Sequence, residues 1–195
     1  MTRFKGATSI ADKDVQYKIY EAHKECDVKD FLEEYKEWMQ KGHSIDGLDK
    51  FTYLSYANGT TEVFDKFYFR HLKRRLRFFK GEYYYHNIVA REWFRNRFAY
   101  IEDDKIEDND VVIVSIPFSD TGNLHYYYEW LMKECCEKNI PVLIDLAYIN
   151  LTKNFNLSLD YDCIETIGTS LSKVFPVQYH RIGMRLNREF KDDPL

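Results

Sequence analysis

The stretch Val111-Val112-Ile113-Val114-Ser115-Ile116 constrains this chain more than any other, because it is apolar and mostly β-branched on both of its alternating sides. A strand that shows neither face to water belongs inside a sheet covered above and below, as in parallel sheets with helices on both faces. The residues that follow fit this placement. Ser119 to Asn123 reads as a turn, and Leu124 to Lys138 as a helix with Leu124, Tyr127, Tyr128, Leu131 and Cys135 on one side. Pro141 to Leu146 reads as the next strand, Cys163 to Gly168 as another, and Ile182 to Leu186 as the last. Strand and helix alternate, which predicts an α/β domain with a largely parallel sheet.

The first half of the chain is more charged. Val28 to Gln40 carries Val28, Phe31, Leu32, Tyr35, Trp38 and Met39 at helical spacing, with Asp27 as N-cap and Gly42 as the stop. Phe51 to Tyr56 reads as a short strand. Asn58-Gly59-Thr60-Thr61 then opens a helix through Val63, Phe64, Phe67, Tyr68 and Leu72. Arg70 to Lys80 holds six Lys or Arg residues, but Leu72, Leu76, Phe78 and Phe79 interleave with them. That pattern is expected of a helix end and a following strand with a solvated basic face. An aromatic stretch, Tyr83 to Val89, leads to a helix over Ala90 to Phe98 and then an acidic loop, Glu102 to Asp110. Residues 1–49 are expected as an N-terminal helical segment and 50–195 as the sheet-bearing unit of one compact whole.

Composition excludes several classes of function. With 28 Lys and Arg against 32 Asp and Glu, the net charge of −4 offers no overall footprint for nucleic acid or an anionic membrane. The longest apolar stretch, Val111 to Phe118, has eight residues, far below the roughly 20 that span a bilayer. Met1 to Lys13 lacks the apolar core of a secretory signal, so a cytoplasmic protein is expected. The cysteines at 26, 135, 136 and 163 form no C-x-x-C pair and read as structural thiols. Cys135 and Cys136 are adjacent on a helix, about 100° apart, which argues against a redox pair between those two. The six histidines show no i, i+4 pair, so no metal site is expected.

In open α/β sheets, functional groups gather beyond the carboxyl ends of the strands. Three features fall at such ends: Ser119-Asp120-Thr121-Gly122, Asp145-Leu146-Ala147-Tyr148 and Ser170-Leu171-Ser172-Lys173. A carboxylate at the end of an apolar strand, as at Asp145, is costly unless paired or hydrogen-bonded. Lys173 is a candidate reactive amine, since a dry setting near other positive charge makes a lysine nucleophilic.

Taken in order, Asn58-Gly59-Thr60-Thr61, Gly81-Glu82-Tyr83, Ser119-Asp120-Thr121-Gly122, Asp145-x-Ala147-Tyr148, Ser170-x-Ser172-Lys173 and Arg181-Ile182-Gly183 resemble a known family. It is the large domain of fold-type I pyridoxal-phosphate-dependent enzymes, class I and II aminotransferases in particular, over about residues 50 to 190. The resemblance implies a three-layer sandwich around a mostly parallel sheet. It also implies pyridoxal 5′-phosphate as cofactor, an amino acid and a 2-oxo acid as substrates, and a homodimer. Lys173 matches the Schiff-base lysine, Asp145 the carboxylate that pairs with the pyridine nitrogen, and Tyr148 the tyrosine on the phenolic oxygen. Tyr83 matches the stacking aromatic. Gly59 and Thr60 match the phosphate-binding turn at a helix N-terminus, and Ser170, Ser172 and Arg181 the other phosphate ligands.

Two departures from the family pattern stand out. Ser119 occupies the position of an asparagine that reaches the phenolic oxygen, and Asp120 replaces a proline. The family also continues into a C-terminal small domain carrying an arginine for the substrate carboxylate, whereas this sequence ends at Leu195. The enzyme reading therefore stands beside a catalytically reduced or inactive binding or assembly module of the same fold. A nucleotide-binding doubly wound domain is a third reading, but neither G-x-G-x-x-G nor G-x-x-x-x-G-K-[ST] occurs. Residues alone leave the amino donor and acceptor open, and also the choice among transamination, decarboxylation and racemisation.

Overall fold

All six residues of Asp110–Ser115 are buried, as an apolar strand enclosed on both faces requires. The computed structural model describes residues 12–22, 28–177 and 179–193. The chain runs α1 (Lys13–Glu21), α2 (Val28–Met39), β1 (Ser44–Asp46), β2 (Tyr53–Asn58), α3 (Thr60–Arg70), β3 (Arg75–Phe78) and α4 (Tyr84–Val89). It continues through β4 (Phe98–Tyr100), β5 (Asp110–Ser115), α5 (Tyr128–Glu137), β6 (Val142–Asp145), β7 (Asn156–Ser158), β8 (Ile164–Ser170) and β9 (Ile182–Asn187). Seven strands form one sheet in the order β2-β9-β8-β6-β5-β3-β4. β8, β6, β5, β3 and β4 are parallel, and β9 lies antiparallel between β2 and β8. Apart from this sheet, β1 and β7 form a small parallel pair.

Alternation along β5 divides the core into two. Val112 and Val114 join Leu32, Tyr35 and Met39 of α2 and Leu131, Met132 and Cys135 of α5. Val111 and Ile113 join Val63, Phe64, Phe67 and Tyr68 of α3 and Val89 of α4. The result is the expected three-layer α/β sandwich, with helices on both faces of a mostly parallel sheet. α1, capped by the Asp12 carboxylate on the Asp14 and Val15 amides, has no buried residue.

Several elements differ from expectation for local reasons. β2 starts two residues after Phe51, whose carbonyl accepts from Lys36 Nζ at 2.9 Å and whose ring lies under the Arg188 guanidinium at 4.8 Å. α5 starts at Tyr128 because His125 is held away from the helix, stacked on Phe79 with ring centroids 3.6 Å apart. The helix expected over Ala90 to Phe98 instead ends in a π-helical turn at Phe94, and Phe98–Tyr100 becomes an edge strand. The proposed Asp27 cap lies outside the described residues.

The solvated basic face fails at its centre. Arg77 is fully buried and binds the equally buried Asp110, Nη1 to Oδ2 at 2.7 Å, and it also donates to the carbonyls of Ala99, Tyr100 and Lys105. Arg75 adds a second contact to Asp110, Nε to Oδ1 at 2.6 Å. A buried arginine persists where its fork of donors is fully used. Side-chain alternation placed Arg77 inward between two apolar residues, and Asp110 at the start of β5 met it there.

Candidate functional site

One edge of the sheet collects the chemistry, because the chain reverses before β9. β5 ends at Ser115, β6 at Asp145 and β8 at Ser170, and Ser115 pairs in register with Asp145, which pairs with Gly168. β9 is antiparallel, so its first residues return to the same edge: Ser170 pairs with Gly183, and Asn58 at the end of β2 pairs with Ile182. Gly59, Asp145, Ser170 and Arg181 thus meet from four separate parts of the chain.

Asp145 is buried, with Oδ1 accepting from the Ala147 amide at 2.9 Å. Burial lifts its carboxyl to about 7; the Ala147 amide pulls downward, the charge of Glu82 pushes up again, and Lys173 pulls down. The lysine therefore does not compensate the loss of water. Glu82 is a second buried carboxyl, also lifted to about 7 by burial despite its hydrogen bonds to Ser115 and Tyr83. Its Oε1 accepts from the Ser115 amide at 2.8 Å, and its Oε2 from the Ser115 hydroxyl at 2.5 Å and the Tyr83 amide at 3.2 Å. Two acids so placed favour a cation between or beside them.

Lys173 sits in a short 3-10 turn, Leu171–Lys173, that follows β8 directly. Its Nζ lies 5.4 Å from the centroid of the Tyr148 ring. Burial, then the charge of Asp145, raises the pKa of the Tyr148 phenol. Ser170 caps the turn: its Oγ accepts from the Ser172 amide at 3.2 Å and donates to the Ile182 carbonyl at 3.0 Å. The Ser172 hydroxyl is buried without a hydrogen-bond partner among the described residues. An orphaned buried hydroxyl is a position where a ligand oxygen would satisfy it.

The opposite corner suits an anion. Gly59, with φ of 83°, precedes the first residue of α3, Thr60, so the unpaired amides of an 11-residue helix start here. The Arg181 guanidinium covers Gly59 so closely that a Cβ there would lie 3.1 Å from its terminal nitrogen. A Cβ on Gly183 would lie 2.7 Å from the Gly59 Cα, so both glycines are required for β9 to approach this turn. Upstream, Glu62 takes the Asn58 amide at 2.6 Å.

Of the residues singled out in the sequence, Asp145, Tyr148, Lys173, Ser170, Ser172, Gly59, Thr60 and Arg181 come to this edge. Tyr83 is exposed, and its backbone amide donates to the Glu82 carboxylate. Ser119 is exposed in the turn after β5, and Asp120 packs against Gly81, where a Cβ would come within 2.9 Å of its own. His86 is a core residue: its Nδ1 meets the Tyr68 hydroxyl at 2.6 Å, and burial lowers its pKa to about 3. Glu82 carries no signal of its own in the sequence, since its burial depends on where β5 ends. No cluster of metal-ligating side chains occurs among the described residues.

No protein-family model and no curated protein matches the sequence. Solved structures do. Histidinol-phosphate aminotransferase from Clostridium acetobutylicum superposes with a TM-score of 0.63 at 18% identity, covering 95% of this chain and 60% of its own. Alanine aminotransferase from Pyrococcus furiosus gives 0.64 at 18% identity, covering 90% and 51%. A pyridoxal-phosphate-bound C-S lyase from Staphylococcus hominis gives 0.60 at 13% identity, covering 90% and 52%. The chain shares their fold. It spans between half and three-fifths of the length of these chains. Among the described residues, no helix is long and apolar enough to cross a membrane.

Proposed function

We propose that this chain binds pyridoxal 5′-phosphate and acts as an aminotransferase-like enzyme, with Lys173 as the residue that holds the cofactor covalently. The observation that carries the reading is the convergence at one end of the sheet of Asp145, a buried carboxyl fixed by the Ala147 amide, with the Lys173 turn after β8 and the Gly59–Arg181 corner. A protonated pyridine nitrogen placed there would favour the ionised form of this carboxyl. The fold shared with aminotransferases and a C-S lyase supports the same reading.

When bound, the cofactor supplies an electron sink for charge developing at the substrate Cα. The protein's own residues do the rest. Asp145, fixed by the Ala147 amide, holds a proton on the ring nitrogen. Tyr148 would donate its phenol hydrogen to the cofactor's phenolic oxygen, and Tyr83 would supply an aromatic face for the ring. The α3 N-terminus at Gly59 and Thr60, the Ser172 hydroxyl and Arg181 take the phosphate. Ser170 positions that turn through its cap. Ser119, on the exposed turn, is assigned to the cofactor's rim. Lys173 would hold the cofactor and, as a free amine, would serve as the base for the proton at the substrate Cα. An amino acid and a 2-oxo acid are the proposed substrates, in a cytoplasmic homodimer.

The test is spectroscopic. Pyridoxal phosphate added to the protein should give a visible absorbance band that borohydride fixes, with the reduced label mapping to the peptide containing Lys173. Lys173→Ala should give neither. Equal behaviour of the two proteins would end the cofactor reading.

A further inference from the structure

At the C-terminal end of α5, two cysteines that are remote in sequence meet. Cys136 lies in the last turn of α5 and Cys163 one residue before β8, and their sulfurs are 2.7 Å apart. Non-bonded heavy atoms settle at roughly 3.5–4 Å, and a formed disulfide measures about 2 Å. The two sulfurs are in direct contact without being bonded, so a small movement of either side chain would bring them to bonding distance. Backbone contacts fix both partners: the Cys163 amide donates to Cys136 Sγ at 3.4 Å, and the Cys163 thiol faces the Met132 carbonyl at 3.4 Å. Cys135, next along the helix, points instead into the core with its side chain fully buried.

We propose that Cys136 and Cys163 are a redox site, closing to a reversible intramolecular disulfide under a peroxide. The pair lines a cavity of about 340 Å³ together with Arg74, Ile140 and Arg188, which gives a small oxidant a route in. Cys136 is the better exposed of the two. Burial, and then the neighbouring sulfur, raise the pKa of the Cys163 thiol, so it stays protonated and acts second.

The thiolate of Cys136 displaces hydroxide from hydrogen peroxide and becomes a sulfenic acid. The Cys163 sulfur then attacks the Cys136 sulfur, forming the S–S bond while the hydroxyl leaves as water with the Cys163 proton. Two thiols lose two electrons and two protons, and one peroxide becomes two waters. The closed loop, with its ends 27 positions apart, contains the whole of β6, Asp145 and Tyr148. The cross-link would tie the end of α5 to the start of β8, the strand that ends at Ser170 beside the Lys173 turn, with β6 enclosed in the loop. This inference does not depend on the proposed cofactor.

The experiment treats the full chain with hydrogen peroxide, alkylates remaining thiols, and maps peptides by mass spectrometry without reduction. The expected result is a protein lighter by two hydrogen atoms, with the peptide containing Cys136 linked to that containing Cys163, and reversal by dithiothreitol. Cys135 and Cys136 share a tryptic peptide, so Cys135→Ser must keep the link and Cys136→Ser must abolish it. Full alkylation of both thiols after peroxide, or a link that survives in Cys136→Ser, would overturn the proposal. The unmodified protein alone decides the first of these, whatever the variants' folding.

Discussion

Ser115 donates to Glu82 twice, through its amide to Oε1 at 2.8 Å and through its hydroxyl to Oε2 at 2.5 Å. The same Oε2 accepts from the Tyr83 amide, so one carboxylate joins the end of β5 to the residue proposed to stack on the cofactor. Removing that carboxylate leaves buried donors unpaired, at about 1–3 kcal/mol each. Glu82→Ala should lower unfolding stability by about 2–4 kcal/mol in urea titrations. It should also release Tyr83, read as faster quenching of tyrosine fluorescence by acrylamide. A stability loss with unchanged quenching would restrict Glu82 to a structural role.

Asp145 supplies a pH signature. Burial pushes its carboxyl in the folded state up to about 7, against an ordinary value of 3.8. Between those values the folded state holds more protons than the unfolded state, so this group's contribution to stability falls as pH rises from about 4 to 7. His86 acts in the opposite direction, because its value is lowered to about 3 and protonation of the unfolded chain destabilises the fold below 6.5. The two are separated by difference. Asp145→Asn should match the original protein near pH 4 and exceed it by a few kcal/mol at pH 8, measured without cofactor. A constant difference across that range would show that Asp145 is not held neutral.

What was legible in the sequence follows from where each signal resides. Val111 to Ile116 announced a central strand because burial on both faces leaves a compositional trace. Asp145 announced itself because a carboxylate beside Ile144 and Leu146 is an anomaly of local sequence. Strand direction leaves no such trace: the Ile182 segment reads the same parallel or antiparallel, yet its antiparallel course is what brings Arg181 to Gly59. Arg77 and the Cys136–Cys163 contact were hidden for the same reason, since each depends on a partner more than 25 positions away. β1 and β7, at three residues apiece, are too short to carry a periodic pattern.

The Arg77–Asp110 pair sets a prediction for the fold alone. Both side chains are fully buried, and Asp110 also binds Arg75 and the Glu107 amide. Breaking a buried pair from one side leaves an uncompensated charge, at about 3–5 kcal/mol. Asp110→Ala should therefore cost about that much in denaturant unfolding, and the loss should persist at high salt because screening does not reach buried charges. Asp103→Ala, which removes the partner of an exposed Lys80, should cost less than about 1 kcal/mol.

Gly183 tests whether the approach of β9 to the α3 N-terminus matters for binding as well as for folding. A Cβ there would lie 2.7 Å from the Cα and 2.9 Å from the carbonyl carbon and nitrogen of Gly59, all of them backbone atoms with no flexible end to yield. Gly183→Ala should force β9 away from the turn, at about 1–3 kcal/mol of stability. Arg181 moves with it, so affinity for pyridoxal phosphate, followed by the absorbance titration, should fall about tenfold for each ~1.4 kcal/mol of lost phosphate contact. Gly42→Ala is the matched control, because it lies outside the site after α2, nothing lies within 4 Å of its Cβ and only the left-handed backbone, φ of 82°, resists the change. It should cost about 1–2 kcal/mol of stability and leave the titration unchanged. Equal loss of affinity in the two variants would mean that general destabilisation, and not the placement of Arg181 over Gly59, governs the site.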